Sequence, residues 1–342
     1  MKKIFLLLLL LVLIVFPSCE NEPVSEININ TDSFEVDSEL YGLISRIAAL
    51  TDDPIDCIQF NYSFPLFIFD ENMVYLEVIA VTDNEQFSSF LGNLPNNYSI
   101  SLSYPITGTL SNGELVDINN NEQLKDAIDN CVKDEYQRYC NNTLRDCVWE
   151  VKFLDDYPNN YVGATFKIND LAIAEFHLNN SIYFGTWTTF YIGDELHLNV
   201  NINNDGLIAE SWNFDWLILS LDDESIELAA NNSITLLEKD CSISCSSGIY
   251  QVCELSTKPG FGEFSLEEYI ICSGIPNIHD LVSPLLVIFY ETEEDAMNGT
   301  NPISNSLYTN TENPQTIYVR IEYIETGEIL EFSEITIEAI SC

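Results

Sequence analysis

Residues 147–241 constrain the fold more than any other stretch of this chain. Apolar and polar residues alternate in Trp149-Glu150-Val151-Lys152-Phe153, and the two-residue period returns over 165–168, 174–178, 185–190, 196–202, 216–221, 226–228 and 234–237. Successive side chains on a strand point to opposite faces, so each run presents one apolar face. Asn, Asp and Gly fill the connections, and no long helical period interrupts them. Eight half-apolar strands joined by short turns hide their apolar faces in an up-and-down β-barrel or a sandwich.

Cysteines divide the rest of the chain. Ten are many for a reduced compartment and ordinary for an oxidising one. Cys57 and Cys131 bracket one segment and Cys147 and Cys241 the next, which suggests domain-closing disulfides. Cys245, Cys253, Cys272 and Cys342 share the last, with their pairing open. Cys140 is the candidate odd thiol. No Cys-x-x-Cys pair exists, and His177, His197 and His279 lie in unrelated strand-like contexts, so zinc is not expected.

The N-terminus supplies an address. Lys2 and Lys3 precede thirteen apolar residues, 4–16, too few to span a hydrocarbon core of about 30 Å and suited to a signal-peptide core. Phe16-Pro17-Ser18-Cys19 follows, a small residue before a cysteine. The pattern resembles a bacterial lipoprotein signal, which implies removal of 1–18, lipidation of Cys19 and attachment to the outer membrane. Ordinary secretory cleavage near Ser18, with Cys19 in a disulfide, is the alternative. Residues 19–39, rich in Asp, Glu, Asn and Ser, read as a tether. Glu20-Asn21-Glu22 resembles the acidic surface-export signals of Bacteroidota lipoproteins, which implies a cell-surface position, a periplasm-facing one being the alternative.

Segment 40–145 reads as an α+β domain. Leu40, Leu43, Ile44 and Ile47 recur at helical spacing. Phe60-Asn61-Tyr62-Ser63-Phe64-Pro65 matches Ile100-Ser101-Leu102-Ser103-Tyr104-Pro105 at an offset of forty, and Asn84-Glu85-Gln86-Phe87 matches Asn121-Glu122-Gln123-Leu124 at thirty-seven. An internal ββα repeat is expected, with Asn112-Gly113 as a type I′ hairpin turn. Asn120 or Asn121 is expected to cap a helix that faces the sheet through Leu124, Ala127, Ile128, Cys131 and Val132.

Two resemblances extend the reading to a multidomain, mainly β chain. The opening Cys147-x-Trp149, Gly185-Thr186-Trp187, Trp216 and the closing Cys241 look like the small lipocalin-like domains of Bacteroidota lipoproteins. That likeness implies a β-barrel over 147–241 that can hold a small apolar ligand, with Trp149, Trp187 and Trp216 as candidate contacts. Over 245–342, Ile288-Phe289-Tyr290-Glu291-Thr292, Asp295-Ala296, Asn298-Gly299-Thr300-Asn301-Pro302-Ile303, Tyr308-Thr309-Asn310-Thr311 and Asn313-Pro314-Gln315-Thr316-Ile317-Tyr318-Val319-Arg320 resemble the immunoglobulin-like extracellular repeats of large flavobacterial surface proteins. There the implied fold is a β-sandwich and the implied role a spacer or adhesion module.

Charge and motifs narrow the chemistry. Twelve basic residues face fifty-five acidic ones, a net charge of −43, so nucleic acid is excluded as an electrostatic partner. Asn201-x-Asn203-x-Asp205-Gly206 has the spacing of the first half of a calcium loop, but its twelfth position is Trp212 instead of the bidentate glutamate, and a hairpin turn explains the same residues. No nucleophile elbow, zincin, P-loop or dinucleotide fingerprint occurs, and no cofactor is expected. Asp155-Asp156 and Asp222-Asp223 read as turns. The expectation is a non-enzymatic, lipid-anchored envelope protein of binding or spacer modules. Its alternatives are a carrier of a small apolar ligand and a glycan-binding accessory protein; a protein partner is also compatible.

Overall fold

The computed structural model describes residues 32–154, 156–157, 159–169, 171–241, 249–272, 283–304 and 307–342. Residues 1–18 and Cys19, Asp155 and Cys245 lie outside them, as does the side chain of Cys272. Two compact units divide at residues 135 and 136.

In the first unit the chain enters through β1 (Phe34–Glu35) and α1 (Glu39–Ile47), so the end of the expected tether is already folded. Two segments of like order follow. The first holds β2 (Ile58–Phe60), β3 (Phe64–Phe69), β4 (Tyr75–Val81) and α2 (Asn84–Leu91). The second holds β5 (Ser99–Leu102), β6 (Ile106–Leu110), β7 (Leu115–Ile118) and α3 (Asn121–Arg145). Each contributes three strands and a helix, one strand more than the expected ββα. The two segments exchange their first strands: β5 pairs with β3, and β2 pairs with β6. Leu66 opposite Leu102 and Ile68 opposite Ile100 correspond to Gly108 opposite Phe60 and Leu110 opposite Ile58. The strands therefore correspond at an offset of forty-two, not forty, whereas Asn84 and Asn121 stand thirty-seven apart. The second β-hairpin is shorter, and the difference accrues there.

Polar contacts repeat with the strands. The Tyr62 hydroxyl donates to Asn84 Oδ1 (2.7 Å) and the Tyr104 hydroxyl to Asn121 Oδ1 (2.6 Å). Burial, reinforced by the Asp83 charge, pushes the Tyr62 hydroxyl up to about 12, and burial with the Asp32 charge raises Tyr104, so both remain protonated donors. Asp83 and Asn120 cap their helices by accepting from the N–H of Gln86 and Gln123, both at 2.8 Å. Phe87 is fully buried and packs edge-on against Phe60 and Phe64 at 5.9 and 5.6 Å, burial worth about 1.5–3 kcal/mol. Leu124, Ile128 and Cys131 line the same core, where Cys131 joins Cys57.

The Asn112-Gly113 turn departs from expectation. Gly113 alone has positive φ (+86°), Gly113 N–H donates to Leu110 O, and Leu110 N–H donates to Glu114 O. This is a three-residue loop with glycine in the left-handed position, not a type I′ turn, which needs positive φ at two residues. The type I′ pattern falls instead at Asn231-Asn232 (φ +50° and +62°).

The second unit begins within α3. Eight antiparallel strands follow where the alternation placed them: β8 (Val148–Lys152), β9 (Thr165–Ile168), β10 (Ile173–Leu178), β11 (Ser181–Ile192), β12 (Glu195–Ile202), β13 (Asp215–Leu221), β14 (Ser225–Ala230) and β15 (Ser233–Asp240). A short α4 (Leu207–Trp212) lies between β12 and β13. Each strand pairs with its sequence neighbour and β15 pairs with β8, so the sheet closes into a barrel. Cys147 and Cys241 are bonded at that closure, with Cα atoms 4.9 Å apart.

The chain continues through β16 (Ile249–Cys253), β17 (Glu263–Ser265), α5 (Leu266–Cys272), β18 (Leu285–Tyr290), α6 (Glu293–Asn298), β19 (Leu307–Thr309), β20 (Gln315–Tyr323) and β21 (Ile329–Ile340). Thr292 caps α6 and Gly299 ends it in the left-handed conformation. Strands β18, β20 and β21 lie side by side, β16 runs parallel to β21, and β17 pairs with β19. Cys253 is bonded to Cys342. Ser181 and Ile182 of β11 pair with Leu286 and Leu285 of β18, so barrel strands and C-terminal strands form one sheet.

Candidate binding site at the barrel rim

Side chains pack the interior of the barrel. Eight strands leave a lumen just wide enough for side chains to fill. Ala174, Phe176, Leu198, Val200, Ile202 and Leu228 enter it from the strands. Trp212, from α4, sits 4.7 Å from Phe166, 5.5 Å from Phe176 and 5.5 Å from Trp216, ring centre to ring centre. The void they leave is about 10 Å³, at the threshold for a single water.

The expected ligand contacts are core members. Trp149, Trp187 and Trp216 are at most 5% exposed. Their indole N–H groups donate to the carbonyls of Leu144 (3.0 Å), Asn169 (3.1 Å) and Trp212 (2.9 Å). Each pins a loop or helix end to the barrel wall.

A pocket of about 220 Å³ opens at the rim. One wall is the 159–161 loop, in which Asn159 Oδ1 accepts from the Tyr161 N–H (2.9 Å) and fixes the turn. A second is the end of α4, with Ser211 and Trp212, followed by Phe214 and Trp216. The β14–β15 hairpin closes it with Ala230, Asn231 and Ser233, and Thr235 lies deeper. Two asparagines in the left-handed region make this two-residue turn, a conformation asparagine tolerates better than most residues. Tyr161 is held edge-on to Phe176 at 5.8 Å.

Hydrogen bonding within the pocket is slack. Asn159 Nδ2 and Thr235 Oγ1 are 3.5 Å apart, and the Ser211 and Tyr161 hydroxyls 3.4 Å, both beyond an ordinary bond length. The Ser211 hydroxyl is committed to Leu207 O at 2.7 Å, and the Trp212 indole N–H, buried from the pocket's open space, has no partner among the described residues. A larger, open depression of about 580 Å³ lies beside the end of α3. There the Tyr139 hydroxyl donates to Asp223 (2.9 Å) and Lys239 pairs with Asp146 (2.8 Å).

The remaining candidates are structural in their surroundings. Asn201 lies on β12 opposite Thr186, Asn203 N–H donates to Phe184 O, and Asp205 is exposed. The oxygen that closes this turn belongs to Asn204, which accepts from Gly206 N–H at 2.6 Å, and the turn starts α4 instead of a hairpin. Asp222 accepts from the backbone N–H of Glu224 and Ser225, bonds that hold its carboxyl below the usual range. Among the described residues, the cluster of metal-ligating types is Asp146 with Cys147 and Cys241, whose sulfurs are bonded to each other. No helix among them is long and apolar enough to cross a membrane.

Residues 249–341 match the family described as the Flavobacterium inter-domain disulphide bond domain, which supports a flavobacterial origin. The match covers the segment from β16 to β21. No curated protein matches the chain, and no solved structure does.

Proposed function

We propose that this chain is a lipid-anchored protein of the cell envelope, held through Cys19 outside the cytoplasm and built from non-catalytic modules that bind or space. The observation that carries this reading is the filled barrel: a lumen closed by Trp149, Phe166, Trp212 and Trp216 serves as a rigid platform and has no room to carry an apolar ligand. Three disulfides suit a chain that works in an oxidising space. On the same reading the barrel is lipocalin-like in its strand order, and the C-terminal segment is an immunoglobulin-like repeat. In support, β18, β20 and β21 adjoin as strands C, F and G of that fold do, and β17 pairs with β19 as B does with E.

Metabolic labelling with an alkyne palmitate, in a flavobacterial host, tests the anchor. Labelling should reach the protein and vanish in Cys19→Ser; an unlabelled membrane-bound protein would retract it. Protease added to intact cells tests placement, and complete protection would turn the modules towards the periplasm.

A further inference from the structure

We propose that the rim pocket binds one neutral pyranose ring, as a free sugar or as the terminal unit of a glycan. The inference rests on the barrel being a platform, and it assigns that platform a ligand class. Its size is the first argument. About 220 Å³ falls below the roughly 300–1,000 Å³ of pockets for drug-sized ligands and suits a single ring.

Its lining is the second. Fifty-five carboxylates occur in the chain, yet among the described residues the pocket is lined by amides, hydroxyls and aromatic rings, with no charged side chain. A charged ligand would be desolvated there with no counter-charge. A purely apolar one would cover Asn159, Tyr161 and Thr235 without offering them hydrogen bonds. A neutral sugar meets both demands. Its C–H face can lie on an aromatic ring such as Tyr161 or Phe214, and its hydroxyls both donate and accept, as the amides and hydroxyls of the walls require. The third argument is unused capacity. The 3.5 Å and 3.4 Å contacts leave the Asn159 amide, the Thr235 hydroxyl and the Tyr161 hydroxyl able to take closer partners.

The test uses the full chain purified in detergent. Glucose, galactose, mannose and N-acetylglucosamine are titrated singly and as β-linked disaccharides, with glucuronate, glucosamine and decanoate as charged and apolar comparisons. Saturation-transfer NMR and tryptophan fluorescence read binding. At least one neutral sugar should saturate with a Kd at or below about 10 mM. Ser233→Trp, which fills the pocket from an exposed position, should weaken it by about tenfold or more with the melting temperature unchanged, and Asn159→Ala, which also removes the bond that fixes the 159–161 turn, by about threefold to tenfold in protein that is still folded. A disaccharide that binds better than its monosaccharide identifies the terminal unit of a chain. Absence of saturable binding by every neutral sugar overturns the proposal, as does preference for a charged or apolar probe, or binding that both folded variants leave intact. Palmitate labelling and protease exposure are independent of these results, so failure here is distinguishable from failure of the envelope reading.

Discussion

Single residues show how strongly burial governs the chemistry of this chain. Cys140 is fully buried beside Leu144 and Trp149 in the barrel core, and burial pushes its thiol up to about 12. Since the thiolate is the nucleophile, native Cys140 should resist iodoacetamide at pH 8 and react once the chain is denatured, as read by mass spectrometry. Labelling of the native protein would place Cys140 in a looser environment. On β10, Ala174 and Phe176 enter the barrel core, while Glu175 and His177 are buried on the opposite face, Nε2 to Oε2 at 3.2 Å, opposite Phe184 and Ile182 of the C-terminal core. Desolvation raises the Glu175 carboxyl, but the His177 hydrogen bond and the charges of His177 and Lys167 outweigh it and hold it below its ordinary value. A lowered native value adds stability that is complete above about pH 4.3 and fades as the pH falls through it. Glu175→Gln should cost about 1–3 kcal/mol at neutral pH and flatten the acid limb of the stability curve. An acid limb identical to the parent's would show that the pair contributes nothing there.

At the level of elements, close backbone approach and turn conformation set the barrel's geometry. A Cβ on Gly185 would stand 2.2 Å from the carbonyl oxygen of Asn201 on the paired strand, contact that neither strand can relieve without opening the ladder. Gly185→Ala should therefore destabilise by at least about 1–3 kcal/mol in chemical denaturation, and a variant as stable as the parent would mean that β11 and β12 can separate cheaply. This glycine opens the Gly185-Thr186-Trp187 string that drew attention in the sequence, and its role is steric. The two N-terminal segments carry a similar lesson. The Tyr–Asn contacts and the helix caps repeat because each hairpin takes its third strand from the other segment, a reciprocity that pairwise matching of short strings cannot reveal.

For the molecule as a whole, covalent closure and shared sheets decide what unfolds together. Cys147 and Cys241, 94 residues apart, close the barrel. Replacing both with serine should remove about 4 kcal/mol by freeing the unfolded chain, measured against the parent in non-reducing denaturant; a loss under about 1 kcal/mol would mean that sheet closure alone limits that freedom. Alternation made the eight barrel strands legible, because a two-residue period is a direct imprint of a half-buried strand. The cap at Asn120 was legible too, from an asparagine standing just ahead of a helical period. The rim pocket was not. Its walls come from the 159–161 loop, the end of α4 with Phe214 and Trp216, and the β14–β15 hairpin, and only barrel curvature brings these distant segments to one place.

The sequence by itself determined which segments are strands, which face of each is apolar, and that the chain is acidic and rich in cysteine, since these follow from side-chain period and composition. Tertiary structure decided that the barrel is full, that β11 hands one sheet from barrel to C-terminal strands, and that neutral polar groups gather at the rim. Those outcomes depend on how volumes sum inside a closed sheet and on which distant turns meet, quantities that no local window of residues contains.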